Sequence, residues 1–147
     1  MAYQIRPATE ADQRAISALV RGAGINPLSL HWPRFLVAED ANRIVGLAQI
    51  KPHRDGSREL ASLAVAPDRQ GEGIGATLVA AWLARERGTL YLMCADRLEG
   101  YYARFGFRRI DMGEMPPYFR RMIRVANIIA RVATFFGQPR QVIVMRR

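Results

Sequence analysis

The residues best suited to chemistry lie in one run, Gln70-Gly71-Glu72-Gly73-Ile74-Gly75-Ala76, between an apolar stretch ending at Val65 and an amphipathic stretch that follows. Glycines tolerate positive φ and let an anion approach the main chain. The first amides of a helix have no partner within it and face outward at the positive end of its dipole. The turn therefore predicts a phosphate or pyrophosphate seated over residues 71 to 76. Two phosphate-binding patterns fit poorly. A P-loop needs a lysine before Ser or Thr after its last glycine, and Ile74-Gly75-Ala76-Thr77 has none. A dinucleotide fingerprint is met nominally by Gly71, Gly73 and Ala76, with Asp96 about twenty residues on. There, however, the first glycine follows its strand at once and a repeated βαβ array continues. Here Ala66 to Gln70 intervene and little chain remains.

Other reactive side chains are few. Cys94 is the sole cysteine, which excludes a disulfide within the chain and argues against a cysteine-built metal site. On an apolar strand it reads as a small buried hydrophobe. His31 and His53 have no metal-like spacing, so no metal is expected. His53, in a turn beyond a strand, reads as a surface residue, with substrate contact as the alternative. Arg69, just before the turn, reads equally as a phosphate ligand or a solvent-facing arginine.

Val65-Ala66-Pro67 followed by Gln70-Gly71-Glu72-Gly73-Ile74-Gly75 resembles the Q/R-x-x-G-x-G/A motif of the GNAT N-acetyltransferase superfamily. A second stretch, Tyr102-Ala103-Arg104-Phe105-Gly106-Phe107, resembles that superfamily's helix with a tyrosine four residues before Gly-Phe. The two occur at the family's separation and in its element order, over roughly residues 3 to 111. The resemblance implies acetyl-CoA as cosubstrate and no metal, with the pyrophosphate cradled by Gln70, Gly71, Glu72, Gly73, Ile74, Gly75 and Ala76. It implies that the strand before the turn splays from the next one. Backbone groups of Leu63, Ala64 and Val65 then hold the pantetheine arm, with an amide near Val65 polarising the thioester. Tyr102 matches the tyrosine that protonates the departing thiolate, and Tyr101 beside it is the natural control. Glu59, eleven residues before Gln70, stands where some relatives place a catalytic glutamate. Its other reading is a strand-end acid paired with Arg58 or another arginine.

The implied function is transfer of an acetyl group from acetyl-CoA to a primary amine, on a small molecule or a peptide. The alternative is a GNAT-like module that binds CoA or another anion without catalysis. A basic nucleic-acid-binding module is disfavoured, because no recognition helix or aromatic RNA motif accompanies the charge.

The elements that must position these residues follow from periodicity. Tyr3–Pro7 is a short strand, and Thr9 an N-cap with Asp12 three residues on. Ala15, Ile16, Leu19 and Val20 make a helical stripe ending near Gly22 and Gly24. Phe35–Glu39 and Arg43–Ile50 form a hairpin around Asp40-Ala41-Asn42, and a second turn at Arg54-Asp55-Gly56-Ser57 leads to a strand over Glu59–Val65. A helix over Ala76–Arg87, a strand over Thr89–Ala95, a short helix over Leu98–Phe105 and a strand over Arg108–Asp111 follow. The fold class expected is α/β (α+β): a GNAT-like mixed, mostly antiparallel central sheet flanked by helices.

With 147 residues, half of them apolar, the chain fits one domain over 1–147. No apolar run is long enough to span a membrane, and Met1 to Arg6 does not resemble a signal peptide, so a cytoplasmic protein is expected. Its 22 Lys and Arg against 13 Asp and Glu give a charge of +9, and all the basic residues except Lys51 are arginine. That excess invites an anionic partner without naming it. Residues 112–140 form a family-atypical basic insertion with a helix expected over Tyr118–Phe136, carrying Ile123, Ala126, Ile128, Ile129, Val132, Phe135 and Phe136. Packing on its own sheet or in a homodimer is expected for this helix, in preference to peripheral membrane contact.

Overall fold

Periodicity and capping account for most elements of the computed structural model, which describes residues 2–133 and 141–147. In order these are β1 (Gln4–Pro7), α1 (Gln13–Gly22), β2 (Phe35–Asp40), β3 (Arg43–Pro52), β4 (Arg58–Val65), α2 (Ile74–Arg85), β5 (Tyr91–Ala95), α3 (Glu99–Ala103), β6 (Arg108–Arg109), α4 (Pro117–Ala133) and β7 (Val142–Arg146). Pairing is antiparallel for β1–β2, β2–β3, β5–β7 and β6–β7, and parallel for β4–β5. The sheet is thus mixed and mostly antiparallel, as expected. By internal contacts the chain divides into two units: residues up to Lys51 with Leu60–Arg87, and Pro52–Glu59 with Gly88–Arg147.

In the first unit, Thr9 and Asp12 form the predicted capping box, the Thr9 amide donating to Asp12 Oδ2 at 2.7 Å. A 3-10 turn over Glu10–Asp12 delays the start of α1. The Arg6 guanidinium donates to both Asp12 oxygens, at 2.8 and 3.0 Å, and to Glu39 at 2.9 Å. The hydrogen bonds from Arg6 outweigh burial and hold the Asp12 carboxyl down at about 2. Ile16 and Val20, one helical turn apart, are fully buried against Phe35, Val37, Leu47 and Ala64. Strand alternation then turns Gly46 and Ala48 to the opposite face, where α2 lies. Trp82 Nε1 donates to the Ala48 carbonyl at 3.0 Å. A Cβ on Gly46 would sit 2.7 Å from Ile74 Cγ2, so α2 rests on bare backbone of β3.

In the second unit, β5 and β7 pair from Tyr91↔Arg146 to Ala95↔Val142, and Glu59 of β4 stands in parallel register with Tyr91. The core here joins Ile110, Met115, Phe119, Ile123 and Val144. Pro117 opens α4, where its missing N–H costs nothing. β6 is only two residues long, because Asp111 leaves the strand to cap a 3-10 turn by accepting from the Gly113 amide at 3.0 Å. The apolar face expected on the inserted helix is two stripes. Phe119 and Ile123 are buried, whereas Ile128, Ile129 and Val132 lie outward and are 63 to 65% exposed. Phe135 and Phe136 lie outside the described residues.

Candidate functional site

The glycine turn belongs wholly to the first unit. After β4, Pro67–Arg69 makes a 3-10 turn and Gln70 is extended, its Nε2 donating back to the Val65 carbonyl at 3.3 Å. Arg69 is a strut. Its Nη1 donates to Asp40 at 2.6 Å and its Nε to Glu72 at 2.7 Å, tying the turn to the end of β2. Arg69 is thus a paired, half-buried side chain, unlike the solvent-facing residue that was one of its two readings.

Gly71 and Gly73 adopt φ of +84° and +81°, and nothing among the described residues lies within 4 Å of where a Cβ would project from either. Left-handed backbone at both positions is what glycine supplies and larger residues resist. Gly73 is the N-cap of α2, which begins two residues earlier than its apolar stripe suggests. The first helical bond at this end runs from the Thr77 amide to the Gly73 carbonyl at 3.0 Å. The amides of Ile74, Gly75 and Ala76 therefore precede the helical ladder, at its positive end. Ile74 and Leu78, both buried, fix this end of the helix against the sheet. The outcome is a rigid, open, amide-lined cradle suited to a phosphate or pyrophosphate.

The strand leading into the cradle is irregular. Ser62 has φ of +57° in the middle of β4, a conformation that re-aims the residues after it. Gln49 of β3 is fully buried and donates from Nε2 to Ser62 Oγ at 2.8 Å, while its Oε1 has no hydrogen-bond partner among the described residues. Beyond this point Ala64 is buried in the α1 core, and Leu63 and Val65 are half-buried. A cleft of about 790 Å³ runs beside the turn, lined by Ala15, Leu19, Asn42, Val65, Pro67 and Gln70 among others. No local sequence signal announces this cleft, since α1 and β4 are far apart in the chain.

Glu59 and Tyr102 belong to the second unit, in separate clusters. Glu59 is 8% exposed and its Oε2 lies 2.7 Å from His53 Nε2. His53 is half-buried, its side chain 11% exposed, stacked on Tyr118 with ring centroids 3.5 Å apart and edge-on to Phe119 at 5.7 Å. The surface reading of His53 is therefore corrected, and the partner shown for Glu59 is this imidazole. The turn explains the pairing. The His53 amide donates to the Ser57 carbonyl at 2.9 Å, folding the chain so that residues 53 and 59 come together. Asp55 in the same turn accepts from Ser57 and from the Tyr118 amide at 2.9 Å. Burial pushes the Asp55 carboxyl up, but these hydrogen bonds prevail and hold it at about 2. Nothing local in the sequence marks Tyr118, which reaches this turn only through tertiary packing.

Tyr102 lies on α3, edge-on to Phe107 at 6.2 Å. Burial pushes its phenol well above the ordinary tyrosine value, so it stays protonated as a proton donor must. Burial likewise pushes the Cys94 thiol up to about 11, in keeping with an inert structural cysteine. Tyr101 packs edge-on against Tyr102 at 5.0 Å, with Arg104 over its ring at 4.9 Å and Phe105 at 5.5 Å. No cluster able to hold a metal occurs among the described residues.

Residues 31–109 match the family described as acetyltransferase (GNAT) domain. The chain is similar to the mycothiol acetyltransferase of Rhodococcus jostii (strain RHA1), with 43% identity over 74 residues, 50% of this chain and 21% of that protein. It thus spans about a fifth of the length of that curated relative. It is also similar to N-acetylglutamate synthase from Neisseria gonorrhoeae, solved with coenzyme A and N-acetyl-glutamate. There the TM-score is 0.73 and the identity 26%, covering 98% of this chain and 35% of the other. Rv2747 from Mycobacterium tuberculosis, solved in complex with CoA, gives a TM-score of 0.70 at 24% identity over 97% of both chains, a likeness of fold.

Proposed function

The chain belongs to the GNAT family of acetyltransferase domains, and on that premise we propose that it transfers an acetyl group from acetyl-CoA to a primary amine of a small molecule or peptide. The observation that carries the reading is the left-handed Gly71/Gly73 turn, which caps α2 and leaves three main-chain amides at its open end. Its glycines offer space where side chains would stand, so the donor set fits a pyrophosphate. The Neisseria gonorrhoeae neighbour was solved with coenzyme A beside an N-acetylated amino acid, which supports an amine as acceptor.

In this reading Gln70, Gly71, Glu72, Gly73, Ile74, Gly75 and Ala76 hold the pyrophosphate, chiefly through main-chain amides. Leu63, Ala64 and Val65 line the pantetheine arm, and the Val65 amide faces the thioester oxygen as charge develops there. One such donor contributes roughly 2.7–4 kcal/mol in comparable acyl transfers. An amine is mostly protonated near neutrality, so it must shed a proton before it attacks. Glu59 takes that proton, directly or through a water, with His53 holding the carboxylate in place at 2.7 Å. The amine nitrogen bonds to the acetyl carbon, the carbon–sulfur bond breaks, and the thiolate takes the phenolic proton of Tyr102. The second proton that the nitrogen sheds as the amide forms restores the phenol by way of water. The products are an N-acetyl amide and free CoA.

Two measurements test this. Acetyl-CoA should raise the melting temperature, and a panel of primary amines should include one that releases CoA thiol at a rate proportional to enzyme. Stabilisation with no thiol release from any amine would favour the non-catalytic CoA-binding reading. No stabilisation would sink both readings.

A further inference from the structure

From Met115 to Arg147 the sequence holds seven arginines and no acidic residue. Within that span the inner face of α4 is covered, through Phe119 and Ile123, and the outer face is exposed among the described residues. Val125, Ile128, Ile129 and Val132 are 49, 63, 63 and 65% exposed. At helical spacing they fill an arc of about 100° opposite Phe119 and Ile123. Arg120 and Arg124 border that arc, Arg121 stands at its N-terminal end, and all three are exposed. These arginines and Pro117 line a groove of about 440 Å³. The surface therefore combines a narrow aliphatic strip with a positive margin along one edge.

Any occupant must satisfy both features. A second copy related by a two-fold axis would press arginines against arginines. The strip also exposes only on the order of 400 Å², about half of what each partner buries in a stable protein interface. Nucleic acid would neutralise the arginines and leave the aliphatic strip in water. A negatively charged bilayer meets both demands. Its headgroup phosphates face the guanidinium groups, and the acyl boundary receives the branched side chains while the arginine stems lie along the interface. No helix among the described residues is long and apolar enough to cross a membrane, so such contact is peripheral.

We propose that the outer face of α4 docks on an anionic lipid surface, with Val125, Ile128, Ile129 and Val132 entering the acyl boundary and Arg120, Arg121 and Arg124 meeting lipid phosphates. The proposal is independent of the acetyl-transfer reading, because none of these residues belongs to the cradle or the acid–base clusters.

The test is co-sedimentation of the full chain with vesicles of phosphatidylcholine alone or with phosphatidylglycerol added. Binding is expected only with the anionic lipid, and it should fall as salt rises. Arg121→Gln with Arg124→Gln should weaken partitioning roughly five-fold per charge. Ile128→Ser with Ile129→Ser should abolish it at constant charge. Both variants alter exposed side chains, so melting temperatures near the parent value serve as the folding check. Three results would overturn the proposal: no binding to phosphatidylglycerol vesicles at low salt, binding indifferent to the Ile→Ser pair, or a solution dimer that the same pair converts to monomer. The last would assign the strip to a second copy.

Discussion

Neighbouring tyrosines on α3 offer the sharpest experiment at the scale of single residues. Tyr102 is largely withdrawn from water and its phenol is held protonated by burial, whereas Tyr101 is engaged by Arg104 and Phe105. Tyr102→Phe should therefore lower kcat by roughly 10²–10⁴-fold where chemistry limits turnover, with acetyl-CoA affinity nearly unchanged. Tyr101→Phe should do far less. Equal losses in both would assign the effect to packing. Because the Tyr102 phenol is raised, its deprotonation should cause no loss of activity below pH ~10, which a kcat profile at alkaline pH would check. Tyr102 and Glu59 can be picked out of the sequence as candidates because each stands at a fixed offset from a local motif. The partial cover of His53 was not legible, since it comes from Tyr118, whose amide meets Asp55 63 residues away in the chain. The Ser62 conformation was equally hidden, because nothing in a serine announces positive φ.

Among the elements, the starts of α1 and α2 make opposite demands. The start of α1 depends on a carboxylate that is shielded on the inside. Asp12 ionises at about 2 when folded and near 3.9 when unfolded, so the folded value is depressed. Its stabilisation is complete above pH ~4 and is lost as pH falls through about 2. Asp12→Asn should cost on the order of 2 kcal/mol at neutral pH and flatten the acid side of a plot of melting temperature against pH. The start of α2 depends on leaving a space empty for an anion. Gly73→Glu would force a side chain onto left-handed backbone and put a carboxylate beside the three amides. Acetyl-CoA binding should disappear by calorimetry while the circular dichroism spectrum stays native. A folded variant with undiminished affinity would remove the cradle from the mechanism. The Thr9–Asp12 capping box was readable in advance, because a cap and its helix are neighbours in sequence, and the start of α2 only to within two residues. The two-striped character of α4 was not. Its composition is apolar on both sides, and only the docking of Phe119 and Ile123 decides which side turns outward.

For the whole molecule, most of the fold class was foreseeable because alternation, hairpin turns and helical stripes act over short spans. Gln49→Ser62 and Arg69→Asp40 are contacts of the other kind, made between strands and loops that only folding brings together. Gly46 is a contact of that kind too, and it reaches further than its position in β3 suggests. The strand offers α2 no side chain at that point, and a methyl group there would meet Ile74 Cγ2 at 2.7 Å. Ile74 is also the first residue of α2 and carries one of the three cradle amides. The glycine thus acts as a shim beneath the floor of the site: its thickness sets how high the amides stand. Gly46→Ala should raise the KM for acetyl-CoA several-fold while that for the amine changes less. A Gly46→Ala, Ile74→Val double variant should recover part of the loss, because the shortened side chain makes room for the methyl. Affinity for a ligand can in this way be retuned from the far side of a helix, by a residue the ligand never meets.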